Sequence, residues 1–196
     1  MGQVLPDDDE ECDPVNGQLV SARVGQQIIE ARTGPSVRRG KSKQDYGTPW
    51  EFILAVEGRF GPIVWDLAAH EGNAKHANFY SVADDTLVQC WSERHPSGNL
   101  WLNPEYGNIA PYAQKCAYES ARRHGFIFML TPASIGTDWF AEHTKGKAVV
   151  LGLSPRIPFE GTAINPKTGK PDGYPKDLML AVYGYGLSGF DTWRWK

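Results

Sequence analysis

The chain has 196 residues, a hydrophobic fraction of 41%, a charged fraction of 22% and a formal net charge of −3, which suit one domain with a full core and exclude a strongly basic coat for nucleic acid, though not a local patch. Cys12, Cys90 and Cys116 show no CxxC spacing and the five histidines show no paired ligand spacing, so neither a disulfide framework nor a metal site is expected, and His70 and His76 read as surface residues. No apolar run approaches the ~18 residues of a membrane span and the amino terminus is acidic, so the expected setting is cytoplasmic, with no membrane.

Residues 1–43 read as a mobile polar arm and 44–196 as the folded domain. The arm carries an acidic block from Asp7 to Glu11, a modest amphipathic patch from Leu19 to Arg32 and the basic Arg38-Arg39-Gly40-Lys41-Ser42-Lys43. The basic run either touches phosphate or is simply solvated. Thr48-Pro49-Trp50-Glu51 then opens a helix, with Thr48 as cap, Pro49 in the first turn and Glu51 at the positive end of the dipole. Phe52, Ile53, Val56 and Phe60 recur at helical spacing as its core face, and Gly58 with Gly61-Pro62 ends it.

Ile63 to Ala69 is an apolar strand that runs into Asp66 and then small residues. At the carboxyl edge of an open α/β sheet such an acid is either a ligand contact or a cap for the next turn. Glu71 to Ala77 is expected as a short irregular helix, and Asn78 to Val82 as a second strand closed by Asp84-Asp85. Leu100 to Leu102, bounded by Gly98-Asn99 and by Asn103-Pro104-Glu105-Tyr106-Gly107, reads as a buried strand that delivers a polar side chain into a cleft. Pro104 restricts Asn103 and fixes its own backbone. The Asn103 amide and the Pro104 carbonyl are thereby two set acceptors, with Tyr106 as a flat plate, an arrangement suited to an exocyclic amino group on a planar base. The plainer reading is a strand ending in an ordinary Asn-Pro turn.

Pro111 starts a helix with Tyr112, Cys116, Ala117 and Ala121 near one face, Arg122-Arg123-His124 at its negative end and Gly125 as the stop. Phe126 to Leu130 is a continuous apolar run, as in a strand covered on both faces. Thr137-Asp138 caps a helix carrying Trp139 and Phe140, and Lys147 to Leu153 resumes as a strand. A polar loop from Gly161 to Pro175 precedes a final strand from Asp177 to Tyr183. In the tail, Trp193 and Trp195 are expected to pack on the body.

In this order the chain resembles the phage-type DNA adenine methyltransferases, a Dam-like branch of the S-adenosylmethionine-dependent enzymes. The resemblance runs from about Lys43 to Tyr183. It rests on Asp45-Tyr46-Gly47-Thr48-Pro49, Trp65-Asp66-Leu67-Ala68-Ala69 with Asn73, Phe79-Tyr80 with Asp84-Asp85, Leu87-Val88-Gln89-Cys90-Trp91, Leu102-Asn103-Pro104-Glu105-Tyr106-Gly107, Trp139-Phe140 and Pro155-Arg156-Ile157-Pro158-Phe159. It implies a Rossmann-like α/β methyltransferase sheet with helices on both faces. S-adenosyl-L-methionine would lie by Asp66, Ala68 and Ala69, closed by Thr48 and Pro49, with Asp84 or Asp85 at the ribose or target base. Asn103, Pro104 and Tyr106 would hold a flipped adenine from duplex DNA, with Glu105, Trp139 and Arg156 also on the substrate side. The setting implied is a bacterial host cytoplasm, with the gene phage or prophage encoded.

Glu105 departs from the pattern, which usually has a second proline there, and a carboxylate at that position repels phosphate. The alternative function is therefore a weak or inactive methyltransferase-like module that binds S-adenosylmethionine or DNA.

Overall fold

In a computed structural model of the protein the described residues are 47–162, 164, 166–167, 169 and 173–196. The arm expected over residues 1–43 lies outside them. Strands β1 (Ile63–Asp66), β2 (Asn99–Leu102) and β3 (Ile127–Pro132) lie side by side and parallel. Beyond β3 come β5 (Leu178–Tyr183), antiparallel to both its neighbours, then β4 (Ala148–Ser154) and β6 (Gly189–Arg194), in the order β1-β2-β3-β5-β4-β6. Five strands thus point one way and one is reversed.

Helices cover both faces, as a Rossmann-like sheet requires. Because successive strand residues face opposite sides, Trp101, Phe128, Leu130, Leu180 and Val182 pack against Phe52, Ile53 and Val56 of α1 (Trp50–Phe60). Leu100, Leu102, Ile127, Met129 and Ala181 pack on the other face, with Trp91 of α2 (Trp91–Arg94) and Ala113 and Cys116 of α3 (Ala110–Ser120). The short helix α4 (Asp138–His143) adds Phe140 over Val150 and Met179. Every residue of β3 and of β5 is buried, which is why both read as unbroken apolar runs.

Several local expectations need correction. Pro49 is the N-cap of α1, its carbonyl accepting from the N–H groups of Phe52 (3.0 Å) and Ile53 (3.2 Å), while Thr48 caps nothing. The helix passes through Gly58 and stops at Gly61, whose φ of 94° suits a residue without Cβ. The buried stripe of α3 is Ala113, Cys116, Glu119 and Ser120, rotated from the predicted one because Glu119 finds partners inside: Lys115 Nζ at 2.8 Å and the Ser92 N–H at 2.8 Å.

Residues 71–77 form turns instead of a helix. The strand expected over 78–82 is reduced to a parallel bridge between Phe79 and Asp66, followed by a 3-10 turn at Val82–Asp84. Asp177–Tyr183 is not the final strand, since β6 follows it. Gly189, Phe190, Asp191 and Thr192 are exposed there and Trp193 is buried, so the edge strand lacks the alternation that marks a half-buried one. Trp193 and Trp195 do pack on the body, with ring centroids 5.9 and 5.2 Å from Phe52. Cys116 is a free buried thiol. Among the described residues no helix is long and apolar enough to cross a membrane.

The amino ends of β2 and β3, opposite the site described below, are tied by two side chains. Asn99 donates to the Phe60 carbonyl (3.1 Å) and accepts from the Phe126 N–H (3.0 Å). Buried Arg123 donates to the carbonyls of His95 (2.9 Å), Gly98 and Phe126 (3.3 Å). Arg123→Met, which keeps the aliphatic stem but orphans these carbonyls, is expected to cost about 2 kcal/mol of stability. Urea unfolding checks it: the midpoint should fall with an unchanged slope, and an unmoved midpoint would contradict the role.

Candidate active site

Parallel pairing sets Asp66 opposite Trp101, so the last residue of β1 and the first residue after β2 emerge side by side at the carboxyl edge. That edge is where open α/β sheets bind ligands. A pocket there is lined by Gly47, Thr48, Asp66, Ala68, Asn73, Lys75, Trp101 and Asn103. The two stretches singled out from sequence, Asp66 with its small neighbours and Asn103, share one cavity although Asp66 and Asn103 lie 37 positions apart.

Asp66 is 2% exposed. Its Oδ1 accepts from the Ala68 N–H at 3.2 Å and its Oδ2 from the Lys75 N–H at 2.9 Å. Burial raises its pKa above the ordinary value of 3.8, and the backbone N–H bonds from Lys75 and Ala68 offset this only in part. Small side chains at Ala68 and Ala69 leave the backbone approachable. The Ala69 N–H is taken by the Tyr80 carbonyl at 3.0 Å, which folds the 67–80 segment back along β1.

Asn103 is held by Tyr106, whose hydroxyl donates to Asn103 Oδ1 at 3.0 Å. Burial first, then the neighbouring Tyr174, holds the Tyr106 phenol well above its ordinary range, so it stays a donor. Its ring meets Phe159 and Tyr174 edge-on, with centroids 6.5 and 5.7 Å away. An amide oxygen has two lone pairs, and the Tyr106 bond fixes the amide's orientation with one of them. Glu105 is exposed and does not line the pocket; its carbonyl closes a turn with the Asn108 N–H at 3.2 Å.

The remaining predicted residues are not all brought together. Thr48 lines the pocket and Pro49 caps the adjoining helix. Asp84 and Asp85 are exposed and lie outside the pocket lining. Asp84 accepts from the Ser81 hydroxyl and N–H, both at 2.7 Å, and these bonds lower its pKa. Asp85 takes a left-handed φ of 43° and accepts from the Leu87 N–H at 3.2 Å. Trp139 packs edge-on against Phe140 (6.0 Å), and exposed Arg156 pairs with Asp177 at 3.0 Å; neither lines the pocket.

Lys75, which has no role in the sequence reading, belongs to the site, and Glu160, also without one, reaches it only through Lys75 from outside the lining. Lys75, 5% exposed, lines the pocket, and its Nζ meets Glu160 Oε2 at 2.8 Å. Nothing in the polar run Gly72-Asn73-Ala74-Lys75-His76 distinguishes a buried lysine from a solvated one. Among the described residues no group of three or more His, Cys, Asp or Glu is placed to hold a metal ion.

The pocket's chemistry fits a ligand with an ammonium and a polar chain. A buried carboxylate faces it, and the Thr48 hydroxyl, 2% exposed, has no hydrogen-bond partner among the described residues. An orphaned buried hydroxyl is costly unless a ligand meets it.

Comparison with known proteins bears on the same stretch. Residues 36–183 match the family described as DNA N-6-adenine-methyltransferase (Dam). The DNA N-6-adenine-methyltransferase of Haemophilus phage HP1 is 32% identical over 148 residues, covering 73% of this chain and 80% of that protein. The protein of the same name from Escherichia phage T1 is 34% identical over 108 residues, or 55% of this chain and 44% of that protein, so the match spans less than half of that relative's length. With the Asp66 and Asn103 motifs both inside the matched residues, the chain belongs to the DNA N-6-adenine-methyltransferase (Dam) family.

Proposed function

We propose that the protein transfers a methyl group from S-adenosylmethionine to the N6 amino group of an adenine flipped out of duplex DNA. The observation that carries this reading is the shared pocket of Asp66 and Asn103. One residue suits the charged end of a donor, the other an acceptor base, and both project from adjacent strand ends. Bound there, S-adenosylmethionine would supply an electrophilic methyl on a sulfonium. Asp66, Ala68, Ala69, Thr48 and Pro49 are the residues assigned to it. Asp84 and Asp85 would reach it only from outside the pocket lining.

An adenine amino nitrogen is a poor nucleophile because its lone pair is delocalised into the ring. Asn103 Oδ1 and the Pro104 carbonyl accept its two N–H groups and so favour a tetrahedral nitrogen. Their fixed positions supply orientation and preorganised electrostatic stabilisation. Tyr106 keeps the Asn103 amide in place and contributes aromatic surface beside the base. A duplex buries the target atom, so the base must leave the stack. Trp139, on α4, and Arg156, in the loop after β4, are assigned to the DNA side, not to the pocket. Radiolabelled methyl transfer from S-adenosylmethionine to DNA, followed by nucleoside analysis, tests the whole reading. Label in N6-methyladenine supports it, and donor binding without transfer would favour a module that binds but does not turn over.

Glu105 is exposed and outside the pocket lining, which supports a tolerated substitution. Asn103 and Pro104 already meet both amino hydrogens, so a third acceptor has no donor to receive. Glu105→Pro is therefore expected to keep or raise the single-turnover rate and to tighten DNA binding at low ionic strength, by removing a negative charge near phosphate. A tenfold or greater loss of rate with an unchanged circular dichroism spectrum, an effect on the order of 1.4 kcal/mol in the barrier, would mean instead that Glu105 contacts the substrate.

A further inference from the structure

Lys75 carries an ammonium whose side chain is only 4% exposed. Three contacts fix it: its N–H on Asp66 Oδ2 (2.9 Å), its Nζ on Glu160 Oε2 (2.8 Å) and the Trp50 ring 5.2 Å from Nζ. A buried ammonium needs a counter-charge at all times. The partner that supplies it is differently placed, because the Glu160 side chain is 42% exposed. Glu160 stands 85 residues later in the chain and is held beside the pocket by its own N–H, which donates to the Gly47 carbonyl at 2.8 Å. Its carboxylate rests against the bare Cα of Gly47, where a Cβ would collide with it. The pocket therefore presents, next to the carboxylate of Asp66, a receptor for a second carboxylate that the protein fills with its own side chain.

The amino-acid end of S-adenosylmethionine carries one ammonium and one carboxylate on the same carbon. Asp66 suits the ammonium, and Lys75 Nζ is the buried cation of the same pocket wall. We propose that Lys75 binds the carboxylate of the methyl donor, and that Glu160 occupies that position on Lys75 until the donor displaces it. This rests on the reading of the pocket as the donor site. Glu160 is the partner that yields because a half-exposed carboxylate regains hydration on leaving, whereas the Lys75 side chain is only 4% exposed. Gly47 is bare because the carboxylate on Lys75, Glu160's or the donor's, needs the space a side chain would fill.

Titration calorimetry with S-adenosylmethionine and with its decarboxylated analogue, which keeps the sulfonium and the ammonium, isolates the carboxylate. The wild type is expected to prefer the carboxylate-bearing compound by about tenfold or more, the worth of one buried charged contact. Lys75→Met should bind both compounds equally. Glu160→Gln, which removes the internal competitor, should widen the wild-type preference by about threefold or more. If Lys75→Met does not fold, the wild type and Glu160→Gln still decide. A wild type that binds both compounds equally, or a Glu160→Gln preference that is unchanged or narrower, overturns this inference and leaves the donor site standing. A wild type that binds neither compound overturns the donor site itself.

Discussion

Asn103→Ala is expected to lower methyl transfer by at least ~100-fold, the usual cost of removing one preorganised polar group from a transition state, while donor affinity changes little. The asymmetry follows from the geometry. Asn103 contributes one wall of the pocket, but in the proposed reading the charged end of the donor is met by Asp66 on the neighbouring strand. The amide accepts an N–H most strongly when the amino nitrogen becomes tetrahedral and its N–H bonds polarise, which happens only as the methyl is transferred. The effect should therefore appear in the single-turnover rate and not in binding. The variant frees the Tyr106 hydroxyl that donates to Asn103 at 3.0 Å, so part of the loss will come from a loosened Tyr106. Tyr106→Phe separates the two parts, since it keeps the amide and removes only its brace; a loss as large as that of Asn103→Ala would mean that orientation, not acceptance, is the main contribution. Transfer by Asn103→Ala at the wild-type rate would remove the residue from the chemistry, and loss of donor binding would reduce it to a structural turn.

Much of the fold was legible because its central strands are buried on both faces. Residues 126–130 and 178–183 are continuous apolar runs, and β3 and β5 prove fully buried. The carboxyl-edge logic then placed Asp66 and Asn103 correctly relative to their strands, since each ends an apolar run with a polar residue. The crossover from Asp66 to Asn99 was misread for a physical reason: the 67–80 segment is held by isolated main-chain bonds, such as Tyr80 N–H to the Asp66 carbonyl at 2.9 Å, and such pairing leaves no side-chain period. Edge strand β6 was not legible for a different reason, since it pairs regularly with β4 but buries only Trp193 among exposed neighbours. Lys75 and Glu160 were invisible because a buried ion pair and two surface charges are written with the same letters, and only the pairing of Glu160 with Gly47 brings the acid to the pocket.

Asp66→Ala is expected to weaken binding of S-adenosylmethionine by about 10- to 100-fold, the range for a charge-assisted contact at a buried site. The two N–H groups that now donate to Asp66, those of Ala68 and Lys75, would lose their acceptor as well, so some local loosening of the 67–75 segment accompanies the loss. Titration of the wild type against pH distinguishes a true donor contact from that loosening. Burial holds the Asp66 pKa above 3.8, and only the ionised form attracts an ammonium. Donor affinity should then be full at neutral pH and fall as pH is lowered through the raised pKa of Asp66, whereas Asp66→Asn should bind weakly and without that dependence. Stability of the protein alone moves the other way. A carboxyl whose pKa is raised on folding binds its proton more tightly in the native state, so its contribution is present below the raised value and is lost as pH rises through it. Opposite pH trends for donor affinity and for the Asp66 contribution to stability, the latter read as wild type against Asp66→Asn in urea at each pH, are thus the joint expectation. Equal donor affinity for wild type and Asp66→Ala at neutral pH would take Asp66 out of the donor site and leave it as the acceptor that shapes the 67–75 turn.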